Sequence, residues 1–343
     1  MSDIVRVLLA GAGRAGMVHG QNFASGVPGA RLVAVADPDS EARVRATADL
    51  GCEVTFEDPV KAVERDDVDA VIVATPTFAH AHIATAALNA GKHVLCEKPL
   101  AGSRDDARAI AEAARKSSGR FVMGFMRRFD EGFVAARKQI LAGAIGRPVL
   151  VRSTGRGPGL PPEWAWDVSL SGGLIAEVNS HDLDTCRWLS GQELESVYAT
   201  ARAAKRPDIA ELYPSFYDVV VAVFDLSDGG IATVDGACPA GYGYDARVEV
   251  YGTEGTLLLG SPFVRGPVVV GQAGALRETV GSWRELFADA YKGEAAHLVA
   301  VARGDEAPRA TIDDGLRALE GVHAVNTSLS EGRSVLIKEV GLA

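Results

Sequence analysis

The chain has 343 residues, 47% hydrophobic and 23% charged, with a formal net charge of −10 at pH 7. That length exceeds one comfortable core, so two domains are expected, and the composition is that of a soluble globular protein. No apolar run approaches the ~20 residues of a membrane helix, and no Lys/Arg cluster offers a basic face to nucleic acid, so membrane and nucleic-acid partners are excluded. The start, "MSDIVRVLLAGAGRAG", lacks a basic leader. Cys52, Cys96, Cys186 and Cys238 fit neither a zinc spacing nor a disulfide framework. The expectation is free thiols, no metal, and a cytoplasmic protein.

In chain order, residues 4–10, 32–36, 70–74, 93–96 and 120–123 are apolar runs separated by helical stretches such as "FAHAHIATAALNAG". Unbroken Val/Ile/Leu runs predict strands covered on both faces, and strand–helix alternation predicts a doubly wound α/β domain over residues 1–125. After it the pattern changes. Residues 147–154 read as a strand, "GRGPGLPPEWAWD" as a loop, and 174–189 as one helix. "DVVVAVFDLSDGGIATVDGA" and "RVEVYGTEGTLLLG" read as hairpins, and helices are expected over 283–303 and 313–330. Residues 126–343 are therefore an α+β domain on a mainly antiparallel sheet.

The first strand runs into Gly11-Ala12-Gly13-Arg14-Ala15-Gly16. Gly11 permits the tight turn, Gly13 lets backbone approach a pyrophosphate, and Gly16 lets the helix pack near the strand. The helix N-terminus offers N–H groups to phosphates, which is how an acidic chain can hold a dianion. Asp37, at the end of the second strand, would accept hydrogen bonds from ribose hydroxyls and repel a 2′-phosphate, so NAD is favoured over NADP. Arg43 lies near enough to blur that preference. Glu97-Lys98-Pro99 follows the fourth run, at the carboxyl end of the sheet where ligands sit in such folds. Lys98 can point towards the nicotinamide, Glu97 can bridge or cap, and an X-Pro bond can be cis. The Thr75-Pro76 turn and His80 beyond it are expected beside the cofactor. In "GGLIAEVNSHDLDTCRWL", Glu177 and His181 are four apart on the expected helix, placing a carboxylate beside an imidazole suited to proton exchange near neutrality.

Together "AGAGRAG", "VADPD", "ATPTFAHAHIATAALNAGKHVLCEKPLA", "GFMRRFD" and "SGGLIAEVNSHDLDTCRWLSG" resemble the glucose–fructose oxidoreductase/inositol dehydrogenase (Gfo/Idh/MocA) family of sugar and polyol oxidoreductases. "GFMRRFD" and "GYGYDARVEV" are most similar to the inositol dehydrogenase branch. The resemblance implies a Rossmann domain followed by an open-faced sheet, which in many members mediates dimers or tetramers. It implies that Lys98 is the catalytic-site lysine, that Arg127 or Arg128 faces substrate, and that Tyr242 or Tyr244 touches it. Trp166 and Asp167, with Trp164 nearby, could offer an aromatic face and an acid to a polyhydroxylated ring. The family usually carries Asp four residues before the His and Gly two before it. Here Glu177 and Asn179 stand there, which bears on the substrate contacts. The reading is an NAD-dependent dehydrogenase of a cyclitol or sugar, with His181 as base, Lys98 on the reacting oxygen and Glu177 beside the base. Its rivals are a redox-neutral glycoside-cleaving or epimerising enzyme of the same fold and a non-catalytic NAD-binding sensor.

Overall fold

The uninterrupted apolar runs are strands covered on both faces, as their composition demands. In the computed structural model, which describes residues 4–264, 267–272 and 274–342, Val5–Ala10 (β1), Ala30–Ala36 (β2), Thr55–Phe56 (β3), Ala70–Val73 (β4), His93–Glu97 (β5) and Phe121–Gly124 (β6) form one sheet. Its order is β3-β2-β1-β4-β5-β6, and every neighbouring pair is parallel. All four residues of β4 are buried. The order reverses between β1 and β4, the crevice where ligands sit in open α/β sheets. The two-residue β3 is too short to carry a sequence signal.

Two compact units divide the chain, and the division is not a single break near residue 125. Residues 4–130 belong with Asp289–Arg317 and Leu342, while Glu131–Ala288 belongs with Ala318–Gly341. The return has a packing cause. The helix Ala288–Arg303 lays Ala295, Leu298, Val299 and Val301 into the same core as Val7, Leu9, Ile72 and Leu95. Burying each Val or Leu stabilises by about 1.5–3 kcal/mol, so that apolar stripe keeps the helix on the first unit.

The second unit is built on seven strands. Pro148–Arg156 (β7), Leu194–Arg202 (β8), Val219–Leu226 (β9), Ile231–Ala237 (β10), Asp245–Gly252 (β11) and Thr256–Leu259 (β12) come first. A separate small hairpin follows, Val269–Gly271 (β13) with Gly274–Leu276 (β14), and Val335–Leu336 (β15) completes the sheet. The order is β12-β11-β7-β10-β9-β8-β15, and only β7 and β10 run parallel. The two expected hairpins are β9–β10 and β11–β12. Burial alternates along β9, β10 and β11. One face buries Val220, Ala222, Phe224, Val234 and Val250, and the other leaves Tyr198, Val223, Ile231 and Tyr251 exposed. All four cysteines are buried, and no disulfide joins them. Among the described residues no helix is long and apolar enough to cross a membrane.

Candidate active site

The glycine turn is a close-packed object. Gly11 has φ +95°, and a Cβ there would lie 2.6 Å from the Ala74 carbonyl oxygen. A Cβ on Gly16 would run into the Gly11 carbonyl, whereas around Gly13 no atom lies within 4 Å of where a Cβ would be. Two glycines are thus required by the protein itself, and the third stands open where a ligand would approach. The helix Arg14–Ala24 starts there with no acid in its first turn. Arg14 is exposed and Ala15 partly so. Asp37 is tied to this turn, its Oδ2 accepting the Ala12 N–H at 2.7 Å and its Oδ1 the Asp39 N–H at 2.9 Å. Arg43 donates to the carbonyls of Asp37 and Pro38 at 2.6 and 3.0 Å, which fixes the turn "DPDS".

At the ends of β4 and β5 two residues expected beside the cofactor have protein partners. His80 sets both ring nitrogens against backbone carbonyls. It is fully enclosed, with Nδ1 2.9 Å from the Pro99 carbonyl and Nε2 2.9 Å from the Thr75 carbonyl, so it ties the two strand ends together. Burial holds its pKa below the ordinary imidazole value against the pull of those carbonyls. Glu97 is the second. Its side chain turns inward to His19, with Oε1 2.8 Å from Nε2, and Oε2 accepts the Lys98 N–H at 3.2 Å. Lys98 is partly exposed, and the Lys98–Pro99 bond is cis. Thr75 is partly exposed and Pro76 exposed, at the head of the helix Thr77–Asn89.

Arg127 and Arg128 close the first unit and are both buried. Arg128 donates to the Arg309 carbonyl at 2.6 Å and pairs with Asp314 at 2.8 Å. Its guanidinium is engaged within its own unit. Arg127 is 1% exposed.

In the second unit the expected single helix is broken. Gly173–Glu177 and Ser180–Ser190 are separate helices, joined through Val178 and Asn179. Glu177 and His181 are therefore not neighbours on one continuous helical face. Glu177 is the partly exposed last residue of the first helix, and His181, 6% exposed, lies in the first turn of the second. Asn179 is enclosed at this break. It has no exposed surface, and its Nδ2 donates to the Gly155 carbonyl at 3.1 Å and to Asp182 Oδ2 at 2.8 Å. Gly155 and Gly236 sit opposite each other on β7 and β10, and a Cβ on either would strike Asn179. Asn179 is a wedge between helix start and sheet.

The preceding loop holds itself. Trp166 Nε1 donates to the Pro161 carbonyl at 3.1 Å, and its ring stands edge-on to Tyr213. Asp167 caps the short helix Val168–Ser171 by accepting the Ser169 N–H at 2.8 Å. Both remain partly exposed. Trp166 also lines a small cavity with Pro161, Leu174, Tyr217 and Cys238. Tyr244 is buried edge-on against Phe287, while the Tyr242 hydroxyl donates to Asp245 at 2.6 Å.

The sequence matches the oxidoreductase family with an NAD-binding Rossmann fold over residues 5–125, and the GFO/IDH/MocA C-terminal domain over residues 133–258. The chain belongs to the Gfo/Idh/MocA family. It is 33% identical to the scyllo-inositol 2-dehydrogenase (NAD(+)) of Bacillus subtilis, with 95% of each chain covered. It is 31% identical to the myo-inositol 2-dehydrogenase of Thermotoga maritima, covering 98% of this chain and 99% of that one. Among solved structures, scyllo-inositol dehydrogenase from Lactobacillus casei with NAD(H) and scyllo-inositol matches with a TM-score of 0.87 and 28% identity, covering 98% of this chain and 99% of that one.

This Gfo/Idh/MocA chain is an NAD-dependent oxidoreductase, and its residues fit the cofactor. The turn that would hold the pyrophosphate needs Gly11 and Gly16 for its own closure and leaves Gly13 open. Asp37 is fixed at its lip as a hydroxyl acceptor. Two residues of the first unit escaped the sequence reading, His19 and Glu294, which meet Glu97 in the interior. Their only signal is an ionisable residue between small or apolar neighbours, "GMVHGQNF" and "KGEAAHL".

Proposed function

We propose that this oxidoreductase oxidises a secondary ring hydroxyl of a cyclitol to the ketone, with inositols as first substrates and pyranoses second. The observation that carries the reading is the partly exposed Lys98 at the carboxyl end of β5, on the same sheet as the glycine turn. The scyllo- and myo-inositol dehydrogenases among its relatives support the substrate class. When bound, NAD supplies the hydride acceptor. His181 takes the hydroxyl proton, and Lys98 donates a hydrogen bond to the same oxygen as negative charge develops on it. Glu177, partly exposed and ahead of the His181 helix, orients the imidazole or accepts from a neighbouring ring hydroxyl. Trp166 and Asp167 offer an aromatic face and a carboxylate to the ring. The protein works in the cytoplasm as a homo-oligomer, a dimer or tetramer, through the exposed sheet face that carries Tyr198, Val223, Ile231 and Tyr251.

A panel of inositols, aldoses and glycosides with NAD, followed by NADH absorbance, tests the reading. Stoichiometric NADH and ketone from an inositol are expected. Turnover of glycosides without net NADH would favour the redox-neutral alternative, and NAD binding without any turnover would favour the sensor.

A further inference from the structure

Three ionisable side chains meet in the interior of the first unit, at the strand end that carries Lys98. His19 comes from the helix opened by the glycine turn, Glu97 from the last position of β5, and Glu294 from the helix Ala288–Arg303. One nitrogen or oxygen atom from each lies within 4.8 Å of the others. His19 and Glu294 have no exposed surface and Glu97 is 4% exposed. Gly124 of β6 makes room for them, since a Cβ there would stand 3.0 Å from Glu97 Cα and 3.4 Å from its carboxyl carbon.

The bonding in this cluster is unequal. Glu97 uses both oxygens, one towards His19 and one on the Lys98 N–H. Glu294 has no hydrogen-bond partner for either oxygen among the described residues. The His19 ring stands edge-on to Tyr291, 5.2 Å between centroids. An ionised carboxylate in a dry interior without a partner is among the costliest groups a fold can carry, and it takes up a proton instead.

We propose that the cluster carries one carboxylate charge, on Glu97, with Glu294 held as the neutral acid, and that Glu97 is a positioning residue for Lys98. Burial, and then the charge of Glu97, push Glu294 well above the ordinary carboxyl range. Burial also works to raise Glu97, but the hydrogen bond and charge of His19, followed by the charge of Lys98, bring it below that range. Among the described residues the ionisable groups that meet Glu294 are thus Glu97 from β5 and His19 from the neighbouring helix, whose ring stands against Tyr291. A second negative charge has no counterion there, whereas one charge is shared between His19 and the Lys98 backbone. Oε2 fixes the amide from which the Lys98 side chain departs, so the direction of the ammonium depends on Glu97 being ionised and seated.

The positioning role rests on the reading that Lys98 bonds the reacting oxygen, and the charge assignment does not. Two measurements separate them. The folded protein holds a proton on Glu294 that the unfolded chain has lost, so this group's contribution to stability falls as pH rises from its ordinary value to its raised one. Gln carries no such dependence. The Tm advantage of Glu294→Gln over the wild type should therefore grow between about pH 5 and pH 8. A Tm difference independent of pH, or a stoichiometric divalent ion in the purified wild type, would overturn the neutral acid.

For positioning, Glu97→Gln should lower kcat roughly tenfold to a hundredfold, the scale of a misplaced catalytic group, with the Kd for NAD unchanged by fluorescence titration. In a Lys98→Ala background it should cost nothing further. The same factor lost in both backgrounds would overturn positioning through Lys98. Wild-type kcat in Lys98→Ala alone would instead overturn the role of Lys98 while the Tm comparison still stands. Should Glu97→Gln not fold, Glu97→Asp, which keeps the charge and shortens the reach, enters the same cycle.

Discussion

Gly11 and Gly13 belong to one turn, yet Ala substitutions at them should fail in different assays. At Gly11 the backbone has φ +95°, and a Cβ would meet the Ala74 carbonyl oxygen at 2.6 Å and the Thr75 nitrogen at 2.8 Å. The left-handed conformation costs an L-residue about 1–2 kcal/mol. Relieving contacts with backbone adds about 1–3 kcal/mol, the range for overpacking. Gly11→Ala should therefore lose about 2–5 kcal/mol, a Tm drop of roughly 4–20 °C at ~2–4 °C per kcal/mol. At Gly13, φ is −77° and the surroundings are open. Gly13→Ala should change stability by under ~0.5 kcal/mol, as a surface change does, but its methyl would occupy the approach of the pyrophosphate. A loss of about 1.4 kcal/mol in binding is tenfold in Kd, and a displaced diphosphate should exceed that. Thermal unfolding without cofactor and NAD titration by fluorescence read the two effects separately. Gly13→Ala with wild-type NAD affinity would refute the placement of the diphosphate over this turn. An unchanged Tm in Gly11→Ala would refute the packing argument.

Lys98→Ala and His181→Ala should each lower kcat by about 10²–10³ with NAD affinity intact, as loss of one group aimed at developing charge does. If both act on one oxygen, as the proposed function has it, the double variant should lose less than the product, and stopped-flow NADH formation checks all three. Arg128→Ala should cost about 1–3 kcal/mol, since it takes the guanidinium from the partly buried Asp314, which keeps its Thr311 hydrogen bonds. Burial works to raise Asp314, but Arg128 and the Thr311 hydrogen bonds bring its pKa below the ordinary value. The stability this carries is present above the unfolded carboxyl value and lost as pH falls through the lowered one, so the Tm penalty of Arg128→Ala should shrink below about pH 4. Asp37→Ser should narrow the preference for NAD over NADP in kcat/KM, and an unchanged ratio would remove Asp37 from the selection.

What was legible in the sequence follows from what each element needs. β1, β4, β5 and the buried end of β2 announce themselves because a stretch of strand buried on both faces is apolar, and the hairpins β9–β10 and β11–β12 because their turns carry Asp-Gly or Glu-Gly. The glycine turn was equally open to reading, since its requirement is local backbone geometry. The helix break at Val178–Asn179 was not, because nothing local forbids a helix there. The break comes from Asn179 bonding to Gly155 and Asp182, and Gly155 is 24 positions away. The partners of Glu97 and His80 were hidden for a related reason. Both follow or flank strands at the ligand-bearing edge, so their position in the sequence is that of cofactor contacts. Which way each side chain turns is decided by His19, 78 positions from Glu97, and by Pro99, 19 positions from His80.

Asn179 then deserves a direct measurement, because it stands where the family pattern usually has glycine. Gly155 and Gly236 leave the space that its side chain fills, so helix start and sheet are matched to an Asn rather than to a Gly. Asn179→Gly would leave Asp182, which has no exposed surface, without one donor, though Ser153 still bonds its Oδ1 at 2.5 Å. It would also open a void against the two sheet glycines. A buried acceptor losing its partner costs about 1–3 kcal/mol, and the void and the added backbone freedom push the same way. The variant should melt lower by several degrees, at roughly 2–4 °C per kcal/mol. His181 lies two residues further on, so its placement should loosen too, and kcat should fall more than the Kd for NAD rises. If Asn179→Gly instead matched the wild type in Tm, the wedge would contribute nothing to the fold, and Asn179 would have to be sought among the substrate contacts after all.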